Sequence, residues 1–137
     1  MKLQSKDSKK FLGVSNDGKI SLQTIGYELK IIKDNPNDDF FFLVPLEELK
    51  KENPLCITPS TINDGSPLIL EKINFSKESQ LWKFENDYFI NKELKEGKKM
   101  CIDVCCEKRD DNTDIIIYHI KNSKKAHNIN NQLWEIK

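Results

Sequence analysis

The sequence predicts an all-β domain assembled from three copies of one four-stranded unit of about 45 residues. Three recurrences carry that expectation. Gln80-Leu81-Trp82-Lys83-Phe84 returns as Gln132-Leu133-Trp134-Glu135-Ile136. Leu55-Cys56-Ile57-Thr58 returns as Met100-Cys101-Ile102-Asp103, and Phe11-Leu12-Gly13-Val14 has the same shape, so Phe11, Cys56 and Cys101 stand 45 residues apart. Asn16-Asp17-Gly18 and Asn63-Asp64-Gly65 follow the first two openings at matching places. A fixed period is the mark of a fold in which each unit buries its apolar face against its neighbours.

The first unit opens near Leu3 and runs into a strand over Phe11–Val14. Asn16-Asp17-Gly18 predicts a hairpin turn, because Asp and Gly tolerate the positive φ such turns need. Ile20-Ser21-Leu22-Gln23 alternates as a half-buried strand does. A further strand is expected over Tyr27–Ile32, ended by Asp34-Asn35-Pro36-Asn37-Asp38. Phe40–Val44 closes the unit, with Phe41 standing where the later copies carry Trp. Between Pro45 and Pro54 lies Leu46-Glu47-Glu48-Leu49-Lys50-Lys51-Glu52, the one passage of helical character. Pro54 limits it to a turn or two.

The second unit has its hairpin at Asn63-Asp64-Gly65, a strand at Leu68-Ile69-Leu70 and its close at Gln80-Leu81-Trp82. Asp87-Tyr88-Phe89-Ile90-Asn91 starts the third. Lys95-Glu96-Gly97-Lys98 then turns the chain into Met100–Val104. The third hairpin falls at Asp110-Asp111-Asn112-Thr113, followed by Ile115–Tyr118 and a polar loop from Lys121 to Asn130. No linker or low-complexity block divides the chain. One domain is expected over residues 1–137, with repeats at about 1–43, 44–87 and 88–137. Trp82, Trp134 and Phe41 are expected to meet near a pseudo-threefold axis.

Composition narrows the function classes. At 137 residues the chain suits one domain that buries about two-thirds of its unfolded surface. The formal net charge is zero, so no attraction to nucleic acid or anionic membranes is expected. The lysine pairs Lys9-Lys10, Lys50-Lys51, Lys98-Lys99 and Lys124-Lys125 are interleaved with acids and read as solvated surface. No stretch reaches transmembrane length, so no membrane insertion is expected. Met1-Lys2-Leu3-Gln4-Ser5-Lys6-Asp7 has no signal-peptide core. A cytoplasmic protein is the expectation, or a secreted one if a leader was removed.

A Cys-Ile-Asp-Val opening, an alternating strand ending in an aromatic and a closing Gln-x-Trp together resemble the ricin-type lectin repeat. The resemblance spans the whole chain: Cys101-Ile102-Asp103-Val104, Tyr118 and Gln132-Leu133-Trp134 carry it in the third repeat, and Gln80-Leu81-Trp82 in the second. It implies a β-trefoil, a six-stranded barrel capped by three hairpins. It also implies a carbohydrate-binding module, since repeats of this family bind galactose-type sugars.

In such repeats an Asp accepts hydrogen bonds from sugar hydroxyls and an aromatic stacks on the sugar ring. An Asn and the adjacent Gln complete the polar contacts. The third repeat matches with Asp103, Tyr118, Asn131 and Gln132. A flat apolar wall with a few fixed polar groups is what a hexose needs. The second repeat has Thr58, Glu71 and Ser79 at the first three places, and the first has Gly13, Gln23 and Asp38-Asp39. Both are expected to be inactive. Each third-repeat residue also has a plainer reading. Asp103 can cap a turn, Tyr118 can be an ordinary strand aromatic, and Gln132 is expected to be structural because Gln80 persists without a pocket.

The family's secreted members usually tie the opening Cys to a second Cys two residues after the aromatic. Here those places hold Ile73 and Ile120, so Cys56 and Cys101 are expected to be unpaired buried thiols, in keeping with a reducing compartment. Cys101, Cys105 and Cys106 lack the second Cys pair of a zinc finger. Cys105 and Cys106, being adjacent, are too constrained for an ordinary disulfide with each other. No cofactor is expected, because the five glycines form no phosphate-cradling loop.

Catalysis by Cys105 or Cys106 with His119 or His127 is not expected, because strand alternation places His119 on the face opposite Tyr118. The rival to a sugar-binding module is a trefoil scaffold for a protein partner, in the manner of protease inhibitors. Its candidate loops are Asp34–Asp38 and Lys121–Asn130.

Overall fold

The computed structural model describes residues 1–121 and 129–137. Among them the chain is all-β, with twelve strands in three groups of four. The first group is β1 (Leu3–Ser5), β2 (Phe11–Val14), β3 (Ile20–Gln23) and β4 (Leu29–Ile32). The second is β5 (Phe42–Pro45), β6 (Leu55–Pro59), β7 (Leu68–Lys72) and β8 (Trp82–Glu85). The third is β9 (Tyr88–Asn91), β10 (Met100–Val104), β11 (Ile115–His119) and β12 (Trp134–Ile136).

Strands β1, β4, β5, β8, β9 and β12 form the barrel, paired antiparallel as β12–β1, β4–β5 and β8–β9. One hydrogen bond joins the first and last strand of each unit, and it repeats three times. Leu29 N–H donates to Met1 O, Trp82 N–H to Phe41 O and Trp134 N–H to Asp87 O, each at 2.8 Å. The hairpins β2–β3, β6–β7 and β10–β11 cap the barrel. Their tips touch through bridges between Ser21 and Asp114 and between Pro67 and Ile116. This is the β-trefoil arrangement.

The repeated bond corrects the first unit. Leu29, not Phe41, is the counterpart of Trp82 and Trp134, and Phe42–Pro45 opens the second unit rather than closing the first. The boundary expected at 43/44 therefore moves back into the loop between Ile32 and Phe42. Strand β4 begins at Leu29, two residues later than the expected Tyr27. Phe41 still fills core space. It is 5% exposed and meets Phe89 edge-on at 6.4 Å between ring centres. The cause of the misassignment is length: only residues 24–28 join β3 to β4, so the unit has no room for a Gln-bearing turn before its closing strand.

The main core cluster includes Leu12, Leu22, Leu29, Ile57, Trp82, Ile102, Ile117 and Trp134, all fully buried, and Phe42, Val44 and Cys56 form a second, smaller one. The two indoles also bond. Trp82 Nε1 donates to Ile57 O at 2.9 Å and Trp134 Nε1 to Ile102 O at 3.1 Å. Leu12 O, at the matching place, receives the backbone N–H of Tyr27 at 3.0 Å instead. A buried carbonyl needs a donor, and the short first unit supplies one from its backbone.

The hairpin turns follow the expected chemistry. Gly18 and Gly65 sit at φ +84° and +85°, and Asn112 takes the same place in the third hairpin at φ +70°. Asn is among the few non-glycine residues that tolerate this region. Glu96 and Gly97 both have positive φ, and Lys95 and Lys98 exchange two backbone hydrogen bonds across the turn. Leu46–Lys50 forms a single 3-10 segment, within the expected limit. Among the described residues, no helix is long and apolar enough to cross a membrane.

Candidate functional site

In β10 and β11 the strand period divides two jobs. Met100, Ile102, Val104, Ile115 and Ile117 face the core. Their neighbours Cys101, Asp103, Ile116 and Tyr118 share the other face. The register pairs Asp103 with Ile116 and Cys101 with Tyr118, so Tyr118 is the diagonal cross-strand neighbour of Asp103, within reach of a long side chain.

The remaining groups come from the 3-10 turn Asn130–Gln132, just before β12. Asn131 Nδ2 donates to Asp103 Oδ1 and to Val104 O, both at 3.0 Å. Gln132 Nε2 donates to Asp103 Oδ2 at 2.9 Å and to His119 O at 3.0 Å. Gln132 Oε1 accepts the Lys121 backbone N–H at 3.0 Å. Each carboxylate oxygen thus has one amide partner and keeps acceptor capacity for another. Burial pushes the Asp103 carboxyl up to about 6, opposed by the Gln132 and Asn131 hydrogen bonds and the Lys121 charge.

Asp103, Tyr118 and Asn131 line a cavity of about 420 Å³, together with Ile116, Lys121, Glu107, Gly65, Cys105 and Cys106. Three of the four expected site residues border it, and Gln132 braces Asp103 from behind. Tyr118 is half-buried, leaving part of its ring open to the cavity. Lys121 Nζ reaches Asn131 Oδ1 at 3.1 Å and Glu107 Oε1 at 3.3 Å.

The second repeat shows what Gln does without a site. Gln80 Nε2 donates to Lys72 O at 2.8 Å, and Gln80 Oε1 accepts the Asn74 N–H at 2.8 Å, the same bracing as Gln132. Its second hydrogen goes to Glu71 Oε1 at 2.9 Å, because Thr58 offers no carboxylate. Glu71, at the place of Tyr118, is held by Lys77, and Thr58 donates to Ser79 O at 3.2 Å. In the first repeat Gly13 and Gln23 pack so closely that a Cβ on Gly13 would lie 2.8 Å from Gln23 Cβ. Asp38 and Asp39 are not the counterparts of Asn131 and Gln132. They sit in the exposed loop between β4 and β5.

His119 departs from the expected alternation. Its backbone N–H donates to Asp64 Oδ1 at 2.9 Å, Nδ1 lies 2.8 Å from Asp64 Oδ2, and its ring rests on Tyr118 at 4.6 Å. His119 is the last residue of β11, still paired with Met100, and the carboxylate of the neighbouring hairpin turn holds its side chain. That turn also gives the Gly65 N–H to Ile117 O at 2.8 Å. The cavity is therefore built from two repeats, which the single-repeat motif does not reveal. The matching place of Asn63-Asp64-Gly65 was the available signal. His127 and most of the loop from Lys121 to Asn130 lie outside the described residues.

Cys56 and Cys101 are free and buried. Burial pushes the Cys56 thiol up to about 12 and the Cys101 thiol well above its usual value. Among the described residues, no group of three or more His, Cys, Asp or Glu side chains gathers as metal ligands would.

Neither a protein-family model nor a curated protein sequence matches this chain. Solved structures do. A designed three-fold symmetric protein, ThreeFoil, is similar at TM-score 0.67 and 17% identity, covering 97% of this chain and 94% of that one. An exo-beta-1,3-galactanase from Clostridium thermocellum is similar at TM-score 0.69 and 20% identity. That match covers 98% of this chain, which spans 29% of the galactanase. At these identities the likeness establishes the fold, a β-trefoil.

Proposed function

We propose that this chain is a carbohydrate-binding module of the ricin type, with one galactose-type site in its third repeat and no catalytic role. The observation that carries the reading is the convergence of Asp103, Tyr118 and Asn131 on one cavity, with Gln132 bracing the carboxylate. Asp103 accepts from sugar hydroxyls, Asn131 adds a polar contact, and the Tyr118 ring covers the apolar face of the sugar. The acceptor is pre-positioned by two amides, so little ordering remains to oppose binding. The trefoil shared with part of a galactanase supports the architecture beneath this reading and leaves the ligand to the residues themselves.

A single site of this kind binds weakly. Millimolar dissociation corresponds to about 4 kcal/mol, and one site gives no avidity. The test is an NMR titration of the chain with galactose and a panel of other sugars. Shifts centred on Asp103 and Tyr118 are expected, and their absence across the panel would overturn the reading. A second reading, a scaffold for a protein partner, draws on the uninterrupted exposure of residues 33–39. Retention of a lysate protein that free sugar does not release would favour it.

A further inference from the structure

The cavity has a wall that a sugar-binding motif does not require. Just after β10, the chain makes a tight turn over Cys105–Glu107, in which Cys106 and Glu107 both take positive φ, +59° and +56°. Neither is a residue that favours this region. The turn is pinned at both ends, by Cys105 N–H to Asp114 O at 2.9 Å and by Lys108 N–H to Cys105 O at 3.2 Å. Its effect is to swing two successive side chains to one side, where adjacent residues of a strand would diverge. The two Sγ atoms lie 2.9 Å apart, and both cysteines line the Asp103–Tyr118 cavity.

We propose that Cys105 and Cys106 form a dithiol modification site in the cavity wall, which a disulfide oxidant converts reversibly to an intramolecular disulfide. Cys106, exposed, is the entry point. Its thiolate attacks one sulfur of the oxidant, releasing one thiolate and leaving a mixed disulfide on Cys106. Cys105 then gives up its proton and attacks Cys106 Sγ, releasing the second thiolate. Both thiolates end as thiols, and two electrons pass from the cysteine pair to the oxidant.

The roles follow from placement. Cys105 is half-buried, and burial together with its contact to Cys106 raises its thiol above the usual value, so it resolves the mixed disulfide rather than opening the exchange. The buried Cys56 and Cys101 have no access to the oxidant. The product is a ring through the connecting peptide, not an ordinary cross-link. Adjacent Cα atoms stand about 3.8 Å apart, shorter than the usual disulfide span of roughly 4.4–6.8 Å. Such a constrained bond is readily reduced again. The site stands independently of the sugar reading, because its chemistry needs only the two thiols.

The experiment treats the full chain with oxidised glutathione as the probe and measures intact mass and peptide maps without reduction. The expected product is monomeric, lighter by two hydrogens, with the linkage at Cys105–Cys106, and dithiothreitol restores the starting mass. Cys105→Ser is expected to stop at a stable glutathione adduct on Cys106. Amide resonances of Glu107 and Tyr118 should move when the wild-type disulfide closes and return when dithiothreitol reopens it. An unchanged mass, a persistent adduct on wild-type Cys106, or linkage through Cys56 or Cys101 would overturn the site. A closed disulfide without movement at Glu107 and Tyr118 would overturn its place in the cavity wall. Failure of galactose to bind would alter neither readout.

Discussion

The indole N–H of Trp134 donates to the carbonyl of Ile102 at 3.1 Å, tying the closing strand of the third repeat to the middle of its hairpin. Trp82 makes the same bond to Ile57 in the second repeat. One side chain thus serves both packing and the hydrogen-bond needs of a buried carbonyl. This double role explains why a Gln-x-Trp pattern outlasts the site beside it in the second repeat.

Trp134→Ala removes a fully buried side chain and the donor to Ile102 O. The expected cost is about 3–5 kcal/mol, a large share of a typical domain's stability. Denaturant or thermal unfolding measures it. A melting temperature within a few degrees of wild type would contradict the packing described.

Gly65 stands at φ +85° with open space around its missing Cβ, so only backbone conformation opposes a side chain there. Gly65→Ala is expected to lose roughly 1–2 kcal/mol. Gly65→Asn should lose less, because Asn already holds the corresponding place at residue 112. Equal losses for the two variants would show that space, not φ, is the constraint.

Asp103 gives the fold a pH dependence of unusual sign for a carboxylate. Folded, it holds its proton up to about pH 6; unfolded, it releases it near the ordinary value of about 4. Between these values the folded chain binds more protons than the unfolded one. The contribution of this group is therefore full below the unfolded value and is lost as pH rises through about 6. Asp103→Asn is expected to flatten that part of the stability profile, as read by denaturant midpoints between pH 4 and 7. An unchanged slope would assign the dependence to another group.

Tyr118→Ala should weaken galactose binding by about tenfold, near 1.4 kcal/mol, through loss of the stacking face. Its half-buried place makes the cost in stability small beside that of Trp134→Ala. NMR titration measures the first and thermal unfolding the second. Unchanged affinity would remove Tyr118 from the site.

Much of this was legible along the chain because its signals are local. Phe11, Cys56 and Cys101 do occupy equivalent strand positions, and their partners Gln23, Glu71 and Tyr118 are equivalent too. The Gly turns also fell where they were expected. Phe41 misled because an aromatic before an apolar run looks like a degenerate Trp motif, while the true counterpart, Leu29, has neither an indole nor a preceding Gln. His119 misled because Asp64, which holds its ring, comes from another repeat and is 55 residues away along the chain.

By itself the sequence determined the threefold repeat, the all-β class and the third repeat as the one with a full polar set, since period, turn residues and motif are written in neighbouring positions. Tertiary structure decided the rest. Which residue closes the first repeat, how the second repeat's Gly65 borders the third repeat's cavity while Asp64 holds His119, and that two adjacent thiols line the same cleft all depend on strand pairing and loop length. Those bring residues together through space, and spacing along the chain does not encode them.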